Sequence, residues 1–200
     1  MLRRVELIRA AVPGGLPAEA LAPLRTDAGN EGALLQATLP GVYNGGDWLR
    51  RSAGDAERLA GLAASAVLAP AASVDGAIYE EIESGGDWSG AGVYRALLLS
   101  VRPAVSAERQ ARFARELLAM PRHIGAIRAW RLGRVLEAEG ARAWSHVWEQ
   151  RYDTLAGLAG DYMLHPYHWA HVDRWFDPES PDWIVDPHLC HSFCAMPDGS

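Results

Sequence analysis

The sequence predicts an α+β fold: two ferredoxin-like (βαββαβ) units in one chain, packed sheet to sheet so that they close a barrel. Three observations lead there. Residues 93–200 read as strand, helix, strand, strand, helix, strand, the split βαβ pattern. Residues 1–84 carry a fainter version of the same order. A four-stranded sheet with both helices on one face leaves its other face bare, and pairing two bare faces buries both. The predicted organisation is therefore a degenerate unit over 1–84, a linker over 85–92 and a second unit over 93–200.

In the first unit, Val5 to Val12 is strand one, ended by Pro13. Pro17 to Leu24 is a short helix, Gly32 to Leu39 strand two and Asp47 to Arg51 a short strand three. Ala56 to Leu68 is an amphipathic helix and Gly76 to Glu83 strand four. Gly85-Gly86 and Ser89-Gly90 mark the linker. The tetrapeptide Gly-Gly-Asp-Trp occurs at 45–48 and 85–88, but at different points of the pattern, so it is not a repeat.

The second unit is clearer. Val93 to Val101 is an apolar strand ended by Pro103. Ser106 caps a helix with Glu108 in its first turn, where a carboxylate suits the helix dipole. Phe113, Leu117 and Met120, joined by Ala114 and Leu118, form its apolar stripe, and Pro121 stops it. A second strand runs from Ala126 to Leu136, and Glu137 to Gly140 is a turn. Arg142 to Tyr152 alternates: Trp144, His146 and Trp148 fall on one face, Ala143, Ser145 and Val147 on the other. Asp153 or Thr154 begins a helix carrying Leu155, Leu158, Ala159 and Tyr162. A Pro-rich bridge (Asp177 to Pro181) leads to a last strand, Trp183 to Phe193.

Composition narrows the function classes. The chain is 49% apolar and 22% charged, an ordinary globular mixture that argues against disorder, collagen and coiled coil. A net charge of −6 repels phosphate, so no nucleic-acid partner is expected. No apolar run spans a bilayer, so no membrane partner is expected. Glu6 and Arg9 interrupt what would be the core of a signal peptide, and the expected location is cytoplasmic. Cys190 and Cys194, four apart, would lie about 13 Å from each other on one strand, too far to bridge, whereas on a helix they could approach; two buried reduced thiols are expected. All 19 basic residues are arginine, which removes any Schiff-base lysine. All seven histidines and six of the eight tryptophans lie beyond residue 92.

The densest chemistry is Asp161 to Val172. Pro166 donates no backbone hydrogen bond and drives His165 out of helical geometry, so the helix breaks near His165 and restarts at Pro166. Three readings stand. The histidines are structural. Or Tyr162 and His168 form an acid/base pair in an apolar pocket, since imidazole titrates near neutrality and a phenol polarises a carbonyl. Or His165, His168 and His171, with Cys190 or His188, bind a transition metal, which no HExxH or CxxC spacing supports. Further pocket candidates are Trp144, His146, Trp148, His165, Trp169 and His171. Asp173 and Asp186 both stand as groups to orient an imidazole. Glu108 and Arg112 are spaced to pair on the helix.

Asp161-Tyr162-x-x-His165-Pro166-x-His168 resembles the signature of the stress-responsive dimeric α/β barrel (Dabb) family, and the element order over 93–194 is similar too. The resemblance implies ferredoxin-like units pairing into a barrel, here as an internal pseudo-dimer, with a small-molecule cavity beside the sheet. It also implies chemistry without a cofactor, as in the plant polyketide cyclases of that family. By position Tyr162 and His168 would act on the substrate, and His165 would be structural. His171, Trp175 and the Asp/Pro-rich bridge depart from the common pattern.

The resulting expectation is a stress-response A/B barrel protein: a cofactor-independent lyase, cyclase or isomerase for a small hydrophobic carbonyl or aromatic compound. His168 is the acid/base and Tyr162 its partner. Two rivals are a non-catalytic small-molecule-binding protein and a metal-dependent enzyme using the histidine cluster. The chain is expected as a monomer with an internal pseudo-dimer or as a homodimer.

Overall fold

The structure is a computed structural model that describes residues 1–11, 15–25, 33–61, 63–68, 72–90, 92–140 and 142–197. Val12, Pro13, Gly32 and Leu62, which the sequence reading placed at or near element ends or inside a helix, lie outside those residues. The first half holds β1 (Leu2–Ala10), α1 (Ala18–Leu21), β2 (Leu34–Ala37), β3 (Trp48–Gly54), α2 (Ala56–Gly61), α3 (Ala64–Leu68) and β4 (Ala72–Gly86). The second holds β5 (Val93–Leu99), α4 (Ala107–His123), β6 (Ala129–Glu139), β7 (His146–Tyr152), two wide π-helical segments (Gly157–Tyr162 and His168–Val172) and β8 (Cys190–Ala195).

All eight strands form one sheet in the order β2-β3-β1-β4-β6-β7-β5-β8. Each half repeats the order second, third, first, fourth, which is the ferredoxin-like arrangement. The halves join where β4 pairs antiparallel with β6. At the other edge, bridges from Thr38 to Cys194 and from Tyr43 to His191 bring the end of β2 and its loop against β8. The result is a nearly closed eight-stranded barrel made by one chain.

Several elements differ from the sequence reading, each for a physical reason. β4 runs on to Gly86 because Glu83 to Gly86 find partners in Leu132 to Ala129 of β6, and no sequence within 72–86 announces that partner. The helix over 56–68 is two short helices, with Gly61, a weak helix former, at the end of the first. α4 continues past Pro121 to His123. Proline there forfeits only one late bond, and the Ile124 N–H still closes on the Met120 carbonyl at 2.8 Å. Ser106 caps this helix, accepting from the Arg109 N–H. Arg112 pairs forward with Glu116 (3.1 Å) rather than back with Glu108. Trp144 does not share a face with Trp148: it precedes β7 and packs into the barrel interior.

Alternation sorts the side chains of the second half into two layers. Leu97, Leu99 and Trp148 face α4 and meet Phe113, Leu117 and Met120. Tyr94, Leu98 and Val147 face inward and meet Val5, Leu7, Leu49 and Tyr79 from the first half. The interior is not wholly apolar. Glu149 lies fully buried there and accepts hydrogen bonds from the hydroxyls of Tyr79 and Tyr94, both at 2.6 Å. Arg131 Nη1 donates to it at 3.1 Å, and Arg51 Nη1 lies 3.6 Å away. Burial pushes the carboxyl up, but the two guanidinium charges and the phenol hydrogen bonds outweigh it and hold Glu149 below its usual range. Burial and the Glu149 charge push both phenols well up, so they remain donors. Gly133 makes room for this arrangement, since a Cβ there would run into the Tyr79 ring.

No helix among the described residues is long and apolar enough to cross a membrane. Replacing Glu149 with Ala should cost about 3–5 kcal/mol, because it removes a counter-charge from buried guanidinium groups and the acceptor of two buried phenols. Urea unfolding measures this, and a loss under about 1 kcal/mol would show that the barrel does not depend on the cluster.

Candidate functional site

The outward layer of the second half builds a cavity beside the sheet. Its floor is set by strand register. Arg95 on β5 pairs with Gln150 on β7 and Phe193 on β8, and Leu97 pairs with Trp148 and His191. Its roof is the Asp161–Val172 stretch. The helix breaks at 163–165 and restarts at Pro166, as the proline requires. Two offset π-helical segments result, presenting Tyr162 from the first and His168 from the second to the same space. The cavity measures about 230 Å³ and is lined by both, with Arg95, Leu97, Leu117, Trp148, Asp173 and His191 among its walls.

The polar groups are few and close. The Tyr162 and His168 rings meet edge to face, centroids 4.7 Å apart. His168 Nδ1 lies 2.9 Å from Asp173 Oδ1, within ion-pair range, although the angle falls short of a formed hydrogen bond. Arg95 Nη1 donates to the Tyr162 hydroxyl at 3.4 Å, with its guanidinium 5.1 Å from the Tyr162 ring centroid. It also donates to Gln150 Oε1, and its Nε donates to His191 Nε2 at 2.6 Å. Burial, the Arg95 charge and His168 push the His191 imidazole down to about 2, so it stays neutral and can accept that bond.

This geometry meets independent resemblances. Residues 93–186 match the model of the stress responsive A/B barrel domain. That half of the chain is a stress responsive A/B barrel domain. Solved structures extend the likeness to the whole chain as a likeness of fold. An anthrone oxidase-like protein superposes with a TM-score of 0.64 at 13% identity, covering 97% of this chain and 90% of its own. A heme-degrading enzyme from Listeria monocytogenes gives 0.55 at 10% identity, covering 98% and 99%. A putative monooxygenase from Lactobacillus acidophilus gives 0.56 at 9% identity, covering 98% and 97%. No curated protein matches the chain in sequence.

Within the A/B barrel domain, the residues singled out by sequence separate into groups. Tyr162, His168 and Trp148 converge on the cavity. Of the two aspartates, Asp173 faces His168, whereas Asp186 accepts the His188 N–H at 2.7 Å in its own loop. His165 Nδ1 accepts the Tyr167 N–H at 3.1 Å, a local turn contact. His171 stacks on Tyr167 at 4.5 Å. Trp169 is 59% exposed and donates to the Met163 carbonyl. His146 sits edge-on to Phe113 beside Ser145 Oγ, and Trp144 lies in the barrel interior. These last five do not line the cavity. Cys190 and Cys194 are buried free thiols, each pushed by burial up to about 12. Among the described residues no group of three His, Cys, Asp or Glu side chains is placed to hold a metal ion.

Three site residues were missed by sequence reasoning. Arg95 had a signal, a lone charge inside the apolar run Val93 to Val101. His191 falls within the predicted last strand, Trp183 to Phe193, but nothing in that segment links it to a pocket. Tyr43, at the cavity mouth, comes from the first half, and no local pattern announces it.

Two buried imidazoles give the fold a pH signature. Burial and the Arg134 charge push His146 down to about 4, and His191 is down at about 2. The unfolded chain protonates both below the ordinary value of 6.5. The folded chain binds those protons only at lower pH, so stability falls as pH drops from about 6.5 toward about 4. The urea midpoint should fall over that window, and His191→Gln should make the fall shallower. A midpoint that stays flat there would contradict the buried-neutral assignment.

Proposed function

We propose that the chain is a cofactor-independent acid/base enzyme that takes a proton from carbon next to a carbonyl in a small hydrophobic, ketone-bearing or aromatic compound. The observation that carries this reading is the meeting of Tyr162, His168 and Asp173 at one small, largely apolar cavity. At about 230 Å³ the cavity lies just under the usual range for small-molecule sites, so the compound is small. The anthrone oxidase-like neighbour is in keeping with a ketone-bearing aromatic.

The chemistry uses the chain's own groups. With Nδ1 turned to Asp173, Nε2 is the His168 nitrogen left for a ligand. The substrate C–H bond breaks, its proton passes to His168, and its electron pair forms the enolate. The Tyr162 hydroxyl, with Arg95 beside it, donates to the developing oxyanion. The Asp173 carboxylate stabilises the imidazolium that results. Return of the proton to another atom gives isomerisation. Attack of the enolate carbon on a second carbonyl gives cyclisation, and expulsion of a β-leaving group gives a lyase reaction. A panel of aryl ketones and β-diketones in D₂O, followed by NMR, tests the shared first step. The chain should accelerate α-proton exchange, and His168→Ala should slow it about 10²-fold or more. Tyr162→Phe should also slow it, with the fold intact by circular dichroism. Exchange unchanged in His168→Ala overturns the proposal. The rival is a non-catalytic binding protein using the same cavity: its mark is ligand binding without exchange on any member of the panel.

A further inference from the structure

Arg95 is a buried cation without a counter-charge. It is 4% exposed, and its hydrogen-bond partners His191, Gln150 and Tyr162 are all neutral. No carboxylate pairs with it among the described residues. Arg4 and Arg50, by contrast, meet Glu6, and Arg131 meets Glu81 and Glu149. Arg151 is as buried and also makes no ion pair among the described residues, but it lies over the Trp88 ring and does not line the cavity as Arg95 does. An uncompensated buried charge is costly, and one that lines a cavity stands where a ligand's counter-charge can reach it.

Unspent donors lie at and behind the same wall. Trp148 lines the cavity, and its Nε1–H has no partner. Gln150 does not itself line the cavity, but it accepts from Arg95 behind the wall, and its own Nε2 has no partner either. Both side chains are fully buried, and both lie on the Arg95 face of the sheet, Gln150 paired with Arg95 and Trp148 one outward position further along β7. The one carboxylate lining the cavity, Asp173, lies on the roof beside His168 Nδ1 and makes no ion pair with Arg95. The floor is therefore positive and rich in donors, and its other walls (Leu97, Leu117, Val172, Phe176) are apolar.

We infer that the occupant is a small organic carboxylate, with its anionic group on Arg95 and the neighbouring donors and its hydrocarbon or aromatic body against the apolar walls. This rests on the reading of the cavity as a small-molecule site and narrows its substrate class. A guanidinium matches a carboxylate in shape as well as charge, through paired N–H donors. A permanent anion is also distinct from the oxyanion formed during proton abstraction, which Tyr162 is placed to meet.

Titration calorimetry on the intact chain at neutral pH separates these sources. The probes are trans-cinnamate, its neutral isostere trans-cinnamamide, and the neutral diketone benzoylacetone. Cinnamate should bind at least about tenfold more tightly than the amide, as expected for a charge-assisted pair over a neutral one. Arg95→Met should erase that preference, and Arg95→Lys should keep part of it. Equal affinity for acid and amide overturns the inference. So does a preference unchanged in Arg95→Met, tighter binding of benzoylacetone than of cinnamate, or no cinnamate binding at millimolar concentration. The acid/amide comparison on the unaltered chain needs no variant to fold. Cinnamate binding with no α-proton exchange anywhere would sink the catalytic reading and leave this one standing. Exchange of neutral ketones with no preference for the acid would do the reverse.

Discussion

The structure turns on one buried carboxylate. Glu149 gathers a phenol from β4, a phenol from β5, and guanidinium groups from β3 and β6 inside the barrel. Two of those strands belong to the first half and two to the second, so one side chain on β7 ties the halves together across the interior. That cluster also fixes the site. The residue after Glu149 is Gln150, and the residue after Tyr94 is Arg95. Because successive side chains point to opposite faces, placing Glu149 and Tyr94 inside forces Gln150 and Arg95 outward, side by side in register. A one-residue slip would exchange the two sets and lose both the lock and the cavity floor.

The two faces treat charge in opposite ways. Around Glu149, inside the barrel, arginines and a glutamate are brought together and the phenols complete the set. On the cavity side Arg95 meets only neutral acceptors. Keeping His191 neutral is part of that arrangement: a protonated ring could not accept the Arg95 Nε–H, and a second cation would crowd the first. The same neutral histidine is a burden on acid stability and a condition for an open arginine. Stability in acid and the openness of Arg95 therefore depend on one group in opposite senses.

The sequence made the second half legible because both its periodicities are clean. The apolar stripe of Phe113, Leu117 and Met120 marks α4, and the Val93 to Val101 run marks β5. Pro166 placed the helix break, which sets Tyr162 and His168 around one cavity. The first half was less legible for physical reasons. Its helices are short, and Gly61 ends one of them where the pattern alone would continue. β4 takes its length from pairing with β6, a distant partner that no local window contains. Trp144 departs from strict alternation because it lies before the start of β7, outside the regular strand. Arg95 was legible in principle, as a charge interrupting a buried strand, but a lone charge in an apolar run does not announce a cavity.

Residues 1–92 hold no histidine and carry −5 of the −6 net charge, so nothing in their composition points to a site. Yet the chain after β2 closes on the functional half. Tyr43 exchanges two backbone hydrogen bonds with His191, at 2.9 and 2.7 Å, and Asn44 Nδ2 donates to the Leu189 carbonyl. Gly45 lets the loop approach, since a Cβ there would meet the His191 carbonyl oxygen at 2.7 Å. The backbone that positions the His191 ring, and through it Arg95, is thus held from the other half. The Tyr43 ring, 55% exposed, stands at the cavity mouth. A ferredoxin-like unit alone would leave β8 an open edge and the arginine's acceptor loosely held. Barrel closure does more than bury two bare sheet faces: it completes the wall of a site whose titratable groups all come from the second half except Tyr43.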